Sequence, residues 1–140
     1  MPLTPVAGME GDVVASNLLD GNHRKADYAG IPTVVFTSPP LASVGLLEEQ
    51  ARERGLKYRV KHQNTASWYS SKRTGIRRSG FKVLIEEKTE RVLGAHLLGP
   101  NAEEVINVFG LAIRTGLRAV DLREMVYSYP TSASDIPYML

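Results

Sequence analysis

Between Phe81 and Leu98 the chain alternates, reverses and alternates again. Phe81, Val83 and Ile85 are spaced by two, Glu86 to Glu90 is wholly polar, and Arg91 to Leu98 returns to apolar residues. That is the pattern of a β-hairpin, one face of which must be covered. The cover follows at once. Gly99-Pro100-Asn101 breaks the sheet, and Asn101 is placed to cap a helix from about Ala102, whose acids Glu103 and Glu104 suit the positive helix end. Val105, Ile106, Phe109, Ala112 and Ile113 recur at helical spacing up to the stop at Gly116. A period of two running directly into a period of 3.6 predicts a helix packed on antiparallel strands.

The flanking segments extend this plan. Pro32 to Thr37 is β-branched and aromatic, a strand ending at Pro39-Pro40, after which Ser43 is expected to cap a short helix, about Leu46 to Arg54, stopped by Gly55. Leu56 to Gln63 predicts another strand, whereas Asn64 to Ser79 has no sustained period and is expected to be extended with loops. A second short helix is expected over Asp121 to Val126, capped by Asp121, with Leu122, Met125 and Val126 inward. Pro130 holds Tyr129 extended, and Ser132 or Ser134 is placed to cap a final turn through Leu140. The fold class is α+β, a mostly antiparallel sheet with helices packed on one face.

The amino-terminal stretch stands apart. Thr4 followed by Pro5 signals a helix of about Pro5 to Leu19 with an apolar stripe of Val6, Met9, Val13, Val14 and Leu18, and the polar, glycine-containing stretch from Asp20 to Gly30 predicts a linker. The expected organisation is therefore residues 1–30 as helix and linker, and 31–140 as the compact domain.

At 140 residues, 43% hydrophobic and 23% charged, the chain suits one folded domain. A net charge of +2 with acids and bases interspersed argues against a dedicated nucleic-acid binder. There is no cysteine, which excludes a disulfide, a thiolate metal site and a Cys nucleophile within these residues. No apolar run reaches bilayer length and no signal-peptide pattern opens the chain, so a cytoplasmic setting is expected. No phosphate-binding glycine pattern and no Gly-x-Ser-x-Gly elbow occurs, and His23, His62 and His96 lack paired metal-ligand spacing, so no metal site is expected. Lys72, Arg73, Arg77 and Arg78 near Trp68 and Tyr69 leave open a stand-alone module binding an anionic partner.

Several ordered strings resemble one family. Pro32-Thr-Val-Val-Phe-Thr-Ser-Pro-Pro-Leu-Ala-Ser-Val-Gly45, Gly80-Phe-Lys-Val83, Leu93-Gly-Ala-His-Leu-Leu-Gly-Pro100 and Ala102-Glu-Glu-Val-Ile106 are similar to the interface domain of the pyridine nucleotide-disulfide oxidoreductases. That family includes glutathione reductase, dihydrolipoamide dehydrogenase and mercuric reductase. The resemblance implies a homodimerisation domain of an enzyme that uses FAD and NAD(P)H, with partner domains for both cofactors on the same polypeptide and a carboxyl-terminal tail reaching the other subunit's flavin.

Leu3-Thr4-Pro5-Val6-Ala7 resembles the string that opens a helix pointing at the flavin. The resemblance makes Thr4, Pro5 and Val6 a residual part of the FAD site. The Gly-Asp motif before it, both nucleotide folds and the redox dithiol are not in this sequence, so a chain truncated at its amino side is expected, inactive alone and with no cofactor bound. In the family tail, His-Pro-Thr is followed three residues later by Glu. Here the string is Tyr129-Pro130-Thr131, Ser134 falls at the Glu position and Asp135 lies one beyond. The resemblance makes Tyr129, Ser134 and Asp135 the catalytic candidates and Pro130 and Thr131 cofactor-adjacent. A phenol ionises near pH 10 and is a poor base at neutral pH, though it donates a hydrogen bond well. The carboxyl-terminal cysteine pair of mercuric reductases is absent too.

Overall fold

A computed structural model describes residues 2–140. Five strands form one sheet in the order β1-β2-β5-β4-β3, every neighbouring pair antiparallel: β1 Thr33–Val35, β2 Leu41–Gly45, β3 Tyr58–Asn64, β4 Gly80–Glu86 and β5 Val92–Leu98. The central hairpin is the β4–β5 pair foreseen from alternation. Its turn uses Glu90 in the left-handed conformation, φ 59°.

One helix covers the sheet. Numbering the helices in chain order, α1 is Thr4–Asp20, α2 Glu48–Glu53, α3 Tyr69–Arg73, α4 Ala102–Thr115 and α5 Ala119–Glu124, with a 3-10 helix over Ser132–Met139. Val105, Ile106, Phe109 and Ala112 of α4 are buried against Ala42, Val44, Phe81, Val83, Ile85, Ala95 and Leu97 of the strands. Leu122 of α5 and Ile136 of the tail close the same core. Gly116 ends α4 at φ 69°, where its N–H donates to Ile113 O and the N–H of Leu117 to Ala112 O.

Four local expectations are corrected. Leu41 to Gly45 is a strand, because Ala42 and Val44 alternate inward and Ser43 turns its hydroxyl to His96 on β5 rather than to a helix. The helix that follows, α2, is instead closed at its start by the Gln50 side chain accepting from Leu47 N–H at 3.0 Å. Tyr69–Arg73 is helical rather than extended, since Ser70 and Ser71 are its buried residues. The burial of Ser71 is satisfied by a hydroxyl, its Oγ meeting Ser79 Oγ at 2.8 Å while Thr65 Oγ1 donates to the same Ser79 Oγ at 2.9 Å. A helix stabilised this way has no apolar stripe to announce it.

The other two concern the carboxyl-terminal third. Asn101 stands at the start of α4 with φ 56° and makes no side-chain cap; its amide donates to Ser132 Oγ at 2.9 Å instead. α5 begins before Asp121, whose carboxylate accepts from the N–H of Arg118 at 2.8 Å from the third helical position. The helix therefore ends at Glu124, and Met125 and Val126 point outward, 54% and 92% exposed.

α1 forms as foreseen, but its apolar stripe is not covered: Val6 is buried while Val14, Leu18 and Leu19 are exposed. The following segment folds back without regular structure. Asn17 holds the backbone of His23 and Arg24, Tyr28 donates to Glu10, and Asp27 pairs with Arg114 of α4 at 3.4 Å.

Candidate functional site: the carboxyl-terminal tail

The tail is built to be held at its end and open at its start. Thr131 caps the 3-10 helix: its hydroxyl accepts from Ser134 N–H at 3.2 Å and donates to Ser128 O at 2.7 Å. Ser134 Oγ donates to Thr131 O at 2.6 Å. Expected candidates Thr131 and Ser134 are thus brought together, as a structural turn in which neither Ser132 nor Ser134 is the cap. Ile136 is fully buried, and Lys61 of β3 donates to Leu140 O at 2.7 Å.

Asp135 turns inward. Burial pushes its carboxyl above the usual carboxylate range, against a hydrogen bond from Ser70 that favours ionisation. It borders a cavity of ≈ 40 Å³ lined by the hydroxyls of Thr65, Ser71 and Ser132 on one side and by Trp68, Val105 and Met139 among its apolar residues. Tyr129 goes the other way. It is 82% exposed and no hydrogen bond joins it to Ser134 or Asp135 among the described residues, so the three catalytic candidates are not gathered within one subunit.

Around Tyr129 the surface is apolar. Met125, Val126 and Tyr129 lie exposed in one short stretch between α5 and the docked tail, an arrangement that a lone subunit leaves in water. The sequence reading missed it by turning Met125 and Val126 inward; the signal available was Asp121, which fits the third helical position as well as the cap.

At the opposite end of the chain, Thr4 and Pro5 are exposed at the start of α1, which has no side-chain cap, while Val6 is buried. Among the described residues no three His, Asp or Glu side chains are gathered to hold a metal ion.

On the outer face of the sheet His96 is half-buried. Its Nε2 donates to Leu46 O at 3.2 Å, since a carbonyl only accepts, which leaves Nδ1 to accept from the Ser43 hydroxyl at 2.8 Å. Burial holds its pKa below the ordinary imidazole value. Lys82 beside it pairs with Glu48 at 2.5 Å and pulls that carboxyl down. These groups join α2 to the sheet and are not near Tyr129 in the chain or the strand order.

The domain is thus an antiparallel sheet under one long helix, with a docked tail and an exposed apolar stretch just ahead of it. Residues 31–140 match the family described as pyridine nucleotide-disulphide oxidoreductase, dimerisation domain. The chain belongs to that family, its residues 31–140 forming the dimerisation domain. A 19.7 kDa protein of the mercuric resistance operon of Staphylococcus aureus is 49% identical over 140 residues, covering 100% of this chain and 78% of that protein. Mercuric reductase of Bacillus cereus is 38% identical over 94% of this chain, and glutathione reductase of Pisum sativum 38% over 98%. The chain spans only 21% and 25% of those two enzymes. The solved HOCl-induced flavoprotein disulfide reductase RclA of Escherichia coli, in its Cu(II) complex, superposes with TM-score 0.89 at 29% identity, covering 99% of this chain and 32% of that one. Among the described residues no helix is long and apolar enough to cross a membrane.

Proposed function

We propose that two copies pair through the Met125–Tyr129 edge and that each lays its Tyr129–Asp135 tail against the flavin site of the other, within an enzyme oxidising NADH or NADPH. The observation that supports this is the exposed apolar stretch Met125, Val126 and Tyr129, directly ahead of a tail anchored by Ser132 and Ile136. Residues 1–30 are then the end of the FAD-binding domain, with Thr4, Pro5 and Val6 at the flavin. Bound FAD supplies hydride transfer from the nicotinamide to an acceptor. Tyr129 stands where a relative's imidazole would stand and serves that acceptor as a hydrogen-bond or proton donor. Pro130 fixes its approach, Thr131 and Ser134 hold the turn, and Asp135 ties the turn to the domain. These residues alone carry no turnover.

Rapid-mixing kinetics on the intact flavoenzyme test the assignment. Tyr129→Phe is expected to leave flavin reduction by the nicotinamide unchanged and to lower turnover with the acceptor by at least about tenfold. Unchanged turnover would reduce Tyr129 to an interface packing residue.

A further inference from the structure

The whole-chain charge of +2 conceals a local imbalance. Between Glu53 and Glu86 the chain holds nine of its 17 Lys and Arg residues and not one acid, while the rest carries all 15 acids against eight bases. The interspersion expected from the total therefore fails over β3, α3 and most of β4, which make up one side of the sheet. Some of these cations are answered from outside the stretch: Arg59 by Glu90, Lys82 by Glu48, and Lys61 by the backbone oxygen of Leu140. Lys72, Arg73, Arg77 and Arg78 are not. All four are exposed, and none of their side chains makes an ion pair or a hydrogen bond among the described residues.

Their loop is built to keep them together. α3 ends in a turn where Gly75, at φ 71°, donates its N–H to Lys72 O and Ile76 donates to Ser71 O, which satisfies the last carbonyls and reverses the chain. Ser71 and Ser79, both buried, then tie the two ends of the loop through their hydroxyls at 2.8 Å. Four like charges are thus held on residues 72–78, pinned at both ends, at the end of the sheet away from the β4–β5 turn. Repulsion disfavours such a cluster unless an anion meets it. No residue of 72–78 lines the cavities that Asp135 borders, so the patch is distinct from the carboxyl-terminal tail.

The chemistry of the patch selects among anions. Three of its four cations are Arg, whose planar fork engages two phosphate oxygens at once. The one apolar side chain of residues 72–78, Ile76, is partly buried. That leaves neither the apolar core on which a protein interface or a lipid surface would draw nor an aromatic ring to stack an unpaired base. A nucleic-acid duplex presents one phosphate charge for about every 1.7 Å of its axis, a density suited to four cations held close on a convex turn. We propose that this loop binds the phosphate backbone of a double-stranded nucleic acid without reading its sequence.

Fluorescence anisotropy of a short labelled DNA duplex, titrated with the full chain at a series of salt concentrations, tests this. Log affinity against log salt should fall with a slope of about −3.6, which is about −0.9 for each of the four cations. Arg77→Gln combined with Arg78→Gln should halve the slope to about −1.8. Lys88→Gln removes an exposed charge from the β4–β5 turn, at the opposite end of the sheet, and should leave the slope unchanged. The substituted side chains are all exposed, so each variant should keep the wild-type circular-dichroism spectrum, and a duplex of unrelated sequence should bind equally. No rise in anisotropy with about 0.1 mM chain at low salt would overturn the proposal, as would a slope that the paired Arg77 and Arg78 changes do not move. Equal or tighter binding, at the same salt, of poly-glutamate or of phosphatidylserine vesicles would overturn it too, by making the partner an acidic protein or a membrane.

Discussion

His96 ties the sheet to the segment entering α2, and its protonation state matters to the fold. Both ring nitrogens are engaged in the neutral form, one donating to Leu46 O and one accepting from Ser43. A second ring proton would face a hydroxyl that is now the donor. Burial is the largest influence and outweighs the bond to Leu46 O, which favours the charged ring; Lys82 adds repulsion and Glu48 a weaker attraction, so the folded-state pKa lies below that of the unfolded chain. The unfolded chain then binds the proton more readily, and the stability from neutral His96, complete above about pH 6.5, is lost as pH falls below it. Urea unfolding midpoints should therefore hold down to about pH 6.5 and decline as pH falls further, and His96→Gln should flatten that decline. Gly94 is a second such position. A Cβ there would strike the Leu46 backbone, so Gly94→Ala should lower stability by about 1–3 kcal/mol in a denaturant titration. Neither role is legible in the sequence: a histidine in an apolar run and a glycine in a strand show their residue type and not their neighbours across the sheet.

At the scale of elements, those that bury apolar side chains periodically were the readable ones. The β4–β5 hairpin and α4 follow from spacing alone, because Phe81, Val83 and Ile85 face Val105, Ile106 and Phe109 across one core. β2 was hidden, since Ala42 is small and Ser43 imitates a cap. α3 was hidden too, because hydroxyls and not hydrocarbons secure its buried side. The tail falls between these cases: Pro130 marked its extended start, while its docking depends on Ile136, which sits in a 3-10 helix too short to show a period. Ile136 is fully buried in the shared core, and its truncation to Ala should cost about 2–5 kcal/mol. If the tail instead docks weakly, Ile136→Ala will unfold at the wild-type denaturant midpoint.

For the whole molecule, the resemblance carried by ordered strings from Pro32 to Ile106 reached the family before any geometry did, and residues 31–140 match it. What the strings did not carry is which surface is left open. That depended on where α5 stops, a matter of two residues deciding whether Met125 and Val126 are buried or exposed. The central claim is that this edge pairs two copies, and sedimentation equilibrium of the purified chain tests it directly. A species of twice the 15.4 kDa chain mass is expected, shifted to monomer by Val126→Glu without loss of the folded circular-dichroism spectrum. A wild-type chain that remains monomeric up to about millimolar concentration, or a dimer indifferent to Val126→Glu, would contradict the account.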